Sequence, residues 1–169
     1  MKRAASVGLA ILMLGVLSGG AAAGENDNFV AVLDGGNEIP SNESLGRGVA
    51  TFQLSSDGST IHYKLIASNI ENVVAAHIHL GTADVNGPVV AFLYGNAAPG
   101  GGRTDGVLAQ GTITAANLVG PLVGQPLSAL VDAIRAGNTY ANVHTNDGVA
   151  PANTGPGDLP GGEIRGQIR

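Results

Sequence analysis

Gly48-Val49-Ala50-Thr51-Phe52-Gln53-Leu54 is followed by Asp57-Gly58 and then by Thr60-Ile61-His62-Tyr63-Lys64-Leu65-Ile66-Ala67. In the first run Val49, Thr51 and Gln53 alternate with Ala50, Phe52 and Leu54, the period of a strand whose side chains point to opposite faces. In the second, His62 and Lys64 alternate with Ile61, Tyr63 and Leu65. Two such runs about a short Asp-Gly loop predict a β-hairpin, because glycine supplies the positive φ that tight hairpin turns require.

The same pattern extends in both directions. Upstream, Phe29 to Leu33 is short and apolar and stops at Asp34-Gly35-Gly36. Downstream, strands are expected at Val73–Leu80, Val89–Tyr94, Gly106–Ile113, Thr139–Thr145 and Glu163–Ile168. Residues 95–105 and 146–162, rich in Gly, Pro and Asn, read as loops. One helix is expected from Pro126 to Ala136. Leu127, Leu130, Val131 and Ile134 recur at helical spacing there, Pro126 suits the start and Gly137 the stop. Eight short strands and one helix predict an all-β fold, an antiparallel β-sandwich or barrel.

The chain opens with Lys2 and Arg3, an apolar run from Ala4 to Leu17, and small residues from Gly19 to Ala23. That order is a secretory leader, with cleavage expected after Ala23 and residues 24–169 forming one domain. The competing reading is a retained anchor, but the run of about 14 residues falls short of a bilayer span. No Cys follows, which excludes a lipid-modified terminus, and none exists to form disulfides. An exported chain of this kind, secreted or periplasmic, is held by packing, or by packing and a metal. The net charge is −5, with no basic patch, so no nucleic-acid partner is expected. After removal of the leader no membrane association is expected either.

Sorting strand residues by face isolates the histidines. Within Val73–Leu80, Val74, Ala76, Ile78 and Leu80 fall on the expected core face, and Val73, Ala75, His77 and His79 on the other. Within Thr139–Thr145, Tyr140, Asn142 and His144 fall opposite Ala141 and Val143. In the last strand Glu163, Arg165 and Gln167 are expected to face outward. Two imidazoles two residues apart, with a third from a neighbouring strand, can hold one ion and leave a position for water or substrate. Imidazole suits copper, zinc, iron and nickel, and an added carboxylate favours manganese or iron. The bland alternative is a set of solvated histidines on an exposed face. Against it, the chain has 4 histidines, and 3 of them sit on non-core faces where they can converge. His62 reads as a surface residue.

Glu38 reads as a turn acid, or as a ligand or a support for one, and Glu163 as part of an exposed pair with Arg165, or as a group that orients His144 or binds metal. In the second case Arg165 attracts an anion. Asp84, Asn86 and Asp105 lack the ordered spacing of a calcium loop and read as turn formers. No nucleophile motif or phosphate-cradling loop is present.

Three stretches carry a family resemblance. They are Leu33-Asp34-Gly35-Gly36-Asn37-Glu38-Ile39-Pro40, then Ala76-His77-Ile78-His79-Leu80-Gly81 with Gly87-Pro88-Val89-Val90, and then Tyr140-Ala141-Asn142-Val143-His144-Thr145 with Gly161-Gly162-Glu163-Ile164-Arg165-Gly166-Gln167-Ile168. In this order they resemble the CHRD domain, the repeat first described in chordin. The resemblance implies an extracytoplasmic β-sandwich whose motif histidines map to His77, His79 and His144 and whose motif acids map to Glu38 and Glu163. The insert at 146–160 departs from the usual short link and bears on access to the site. A weaker likeness is to copper/zinc superoxide dismutases, which place a strand His-x-His and a late-strand His around copper on a Greek-key sandwich. The fourth, bridging histidine and the cysteines of that family are missing here.

These readings support three functions. The first is an exported module binding a transition-metal ion (copper, manganese, iron or zinc) through His77, His79 and His144, with Glu163 and Glu38 as further ligands. The second is a copper- or manganese-dependent redox enzyme resembling superoxide dismutase. The third is a metal-free module that binds other envelope proteins. The first is preferred, because no residue set demands turnover.

Overall fold

The computed structural model describes residues 28–169. The expected leader and its cleavage point lie outside the described residues. Among those residues, no helix is long and apolar enough to cross a membrane.

The Asp57-Gly58 hairpin forms as its pattern requires. Strand β2 (Arg47–Leu54) pairs antiparallel with β3 (Ile61–Glu71), Leu54 facing Ile61 and Phe52 facing Tyr63. Gly58 takes φ +70°, and Asp57 Oδ1 accepts from Ser55 Oγ at 2.6 Å and from Ser59 N at 3.0 Å. Those bonds, with Ser55 first, hold the Asp57 carboxyl down to about 2.

The remaining strands are β1 (Asn28–Asp34), β4 (Val73–Leu80), β5 (Val89–Tyr94), β6 (Arg103–Ile113), β7 (Thr139–Thr145) and β8 (Ile164–Gln167). They form one sheet in the order β5-β4-β7-β8-β1-β2-β3-β6, with every pairing antiparallel. The sheet curls until its two ends meet, and Tyr63 Oη of β3 donates to the Leu93 carbonyl of β5 at 2.7 Å. The result is a nearly closed barrel or sandwich, as the strand count predicts. Its interior is lined by alternate residues, among them Leu33, Phe52, Leu65, Ile78, Val143 and Ile164. Helix α1 (Leu127–Arg135) adds Leu127, Leu130, Val131 and Ile134 to that core, the four positions whose spacing predicted it.

Three expectations change. The β4–β7 register shifts between Val73 and Ala75, so Val73 and not Val74 enters the core. A bulge inserts one residue and reverses the alternation on one side of it. Strand β6 begins at Arg103, inside the expected glycine-rich loop, and pairs with Glu71 at the extended end of β3. The third change matters most for function: the outward face of β4, β7 and β8 is not exposed. Tyr140, Asn142 and Arg165 are all buried there, Arg165 with only 1% of its surface exposed.

Candidate metal centre

Cross-strand pairing sets the site. In the β4–β7 ladder His77 faces Asn142, His79 faces Tyr140 and Ala75 faces His144. His77 and His79 therefore share a face with Tyr140, Asn142 and His144, as side chains alternate along each strand. His77, His79 and His144 form a group whose ligating nitrogens all lie within 4.8 Å of one another. Their rings are 4.8 Å (His77–His144), 5.6 Å (His77–His79) and 5.9 Å (His79–His144) apart, centre to centre.

Backbone carbonyls orient two of the rings. His79 Nδ1 lies 2.9 Å from the Gly87 carbonyl, and His144 Nδ1 lies 2.9 Å from the Pro160 carbonyl. A carbonyl only accepts, so each Nδ1 carries the proton and each Nε2 keeps its lone pair. This tautomer is the one a metal ligand needs, held in the way that partners commonly fix ligating histidines. His144 Nε2 accepts from His77 Nδ1 at 3.0 Å. His79 Nε2 is buried and has no partner at all. Such an atom is rare in a folded chain and calls for an explanation. Here it is an unshared lone pair beside two further imidazoles.

Electrostatics agree with that assignment. Burial first, then the neighbouring His144 and His79, holds His77 down to about 4. Burial also lowers His79 and His144, although the carbonyl bonds pull each the other way. All three imidazoles are neutral at neutral pH, the form that binds metals.

The surroundings are layered. Tyr140 stacks on His79 with ring centres 4.8 Å apart and planes inclined by 10°. On the phenol lies the Arg165 guanidinium, 3.4 Å from the ring centre. Arg165 donates to the Thr82 and Val85 carbonyls at 2.9 Å each and to Asn86 Oδ1 at 3.0 Å. These bonds fasten the 81–88 loop that carries Gly87. Phe92, half exposed, meets His77 edge-on with centres 4.8 Å apart. The 146–160 insert reaches the face at its end, where Pro160 supplies the carbonyl that His144 uses.

The carboxylates expected as ligands stand elsewhere. Glu163 precedes β8, and Gly162 at φ +140° turns the chain before it. Its side chain meets Thr145, which alternates away from His144, so it does not share the histidine face as expected. It is 1% exposed and not part of a surface pair. Glu38 is buried as well and accepts from Asn142 Nδ2 at 2.7 Å. It stands behind that amide, not among the three rings. Neither acid belongs to the converging group. His62 is exposed on β3 against Thr112. Asn86 ties the Ile39 carbonyl to Arg165, and Asp105 pairs with Arg103. Tyr140 and Asn142 share the histidine face by alternation alone, and only the structure gives them partners there. Their alternation with His144 was the available signal.

Burial raises Glu38 to about 7, against the opposing pull of Arg165 and Asn142. A carboxyl raised on folding adds stability that is fully present below its unfolded value of 4.5 and is lost as the pH climbs through 7. The shift corresponds to roughly 3 kcal/mol. Glu38→Gln keeps an oxygen for Asn142 and cannot ionise. It is expected to exceed the wild type in stability by about that amount at pH 8.5 and to show no advantage at pH 4. Urea unfolding of both proteins at the two pH values checks this, and equal stability at pH 8.5 would refute it.

A family model for the CHRD domain matches residues 29–168, so the chain belongs to the CHRD domain family. No curated protein and no solved structure matches it.

Proposed function

We propose that this CHRD-domain protein is an exported module that binds one transition-metal ion through His77, His79 and His144. The observation that carries the reading is the convergence of three neutral imidazoles with ligating nitrogens within 4.8 Å. Two are fixed in the ligating tautomer by carbonyls, and His79 Nε2 is left without another partner. Three protein ligands leave a further position for water or a small molecule. With both carboxylates outside the group, the donor set suits copper or zinc better than manganese. The leader-like N-terminus supports export of residues 24–169, a form that without cysteine holds no disulfide.

Elemental analysis of the protein purified from its own compartment tests the reading. One copper or zinc per chain is expected. A metal-free protein that also fails to take up either ion would leave the family fold with no metal role. Superoxide consumption by the loaded protein would add turnover to the binding role.

A further inference from the structure

The group holds a second buried atom without a partner, and it belongs to the residue facing His77. Asn142 is 3% exposed. Its Nδ2 donates to Glu38 Oε1, while its Oδ1 has no donor. An unmatched buried amide oxygen is costly, so a donor belongs there. Asn142 sits two residues from His144 on one strand and directly across from His77 on the next. Facing side chains of this kind start only about 5 Å apart. Two orphaned acceptors, His79 Nε2 and Asn142 Oδ1, thus lie on one covered face. One is a lone pair suited to a cation, the other an acceptor suited to a proton.

The chemistry that satisfies both is an ion carrying a proton-bearing ligand. We infer that Asn142 Oδ1 accepts a hydrogen bond from the molecule in the ion's non-histidine position, so that this position selects water or another O–H or N–H donor over anions that only accept. Glu38 holds the amide by its other end and fixes which atom faces the ion. Gly162 lets that arrangement exist. A Cβ there would lie 2.6 Å from Asn142 Nδ2 and 2.7 Å from Glu38 Oε1. Asn142 is a positioning residue, and the inference rests on the three-histidine reading.

The test loads the purified protein with Cu(II) and titrates it with azide, followed by the ligand-to-metal absorption band. Wild-type protein taking up one Cu(II) establishes the reading beneath. A wild type that takes up none overturns both. With copper bound, Asn142→Leu is expected to keep one ion and to bind azide about tenfold more tightly, because the displaced water no longer has its acceptor. Asn142→Asp retains an acceptor and is expected to bind azide no better than wild type. If the leucine variant does not fold, Asn142→Ala is expected to shift in the same direction. Unchanged azide affinity in a copper-loaded leucine or alanine variant overturns the inference. So does loss of copper from that variant alone, which would make Oδ1 a direct ligand.

Discussion

Replacing His77 and His144 together with alanine is expected to weaken binding of copper or zinc by at least about a thousandfold, some 4 kcal/mol. Two of the three converging nitrogens disappear, and the remaining imidazole, His79, cannot hold an ion alone. The same substitution removes the metal's effect on stability. Ligand that binds only the folded chain adds about 2.7 kcal/mol at a hundred times its dissociation constant. For a domain of this size that raises the melting temperature by roughly 10 °C. The wild type should show the rise on addition of metal and the double variant should not. A calorimetric scan with and without metal, run on both proteins, decides it. Equal shifts in the two would mean that the ion binds elsewhere.

The pH course of binding follows from the same geometry. Protons compete with a metal for imidazole only below the imidazole's own titration range. His77 is held down to about 4, and His79 and His144 are also lowered. The loaded site should therefore keep its ion through pH 5–6, where solvated histidines near 6.5 would already release it. In the metal-free chain the same shifts act on folding. Depressed histidines add stability that is present above 6.5 and is lost as the pH falls toward 4. That loss opposes the gain from Glu38, which is why the Glu38→Gln comparison sets two proteins side by side at each pH.

Much of this was legible because strands report two faces. The Asp57-Gly58 hairpin, the eight strands, the helix and the convergence of His77, His79 and His144 all follow from local period and turn chemistry. What the period does not report is what lies above a face. Arg165 alternates outward in β8 like any exposed arginine. It is buried because the 81–88 loop offers it two carbonyls and Asn86 while Tyr140 offers its ring. The loop partners lie about 80 residues away in sequence and leave no local mark. Val73 escaped for a different reason. A bulge costs one residue of register and has no fixed composition when no glycine is used. Glu163 combined both difficulties, since one positive φ at Gly162 redirects its side chain and donors from three separate segments then receive it.

Those donors make Glu163→Ala the most damaging single substitution expected outside the histidine group. Ser44 Oγ donates to Oε1 at 2.6 Å, and Thr145 Oγ1 and the Gly157 amide donate to Oε2 at 2.5 and 2.8 Å. The carboxylate therefore joins the 35–46 loop, strand β7 and the 146–163 loop at one buried point. Alanine leaves three buried donors without an acceptor, each costing about 1–3 kcal/mol, so a loss of about 4–6 kcal/mol is expected. Few point substitutions exceed that range. Glu163→Gln keeps the shape and one oxygen. Its amide can donate to Ser44 Oγ, so a loss of only about 1–2 kcal/mol is expected. Denaturant unfolding of the two variants separates a lost acceptor from a lost shape. The alanine variant should also weaken metal binding, because the 146–163 loop carries the Pro160 carbonyl that orients His144. An alanine variant as stable as the glutamine one would show that the loops are held without this carboxylate.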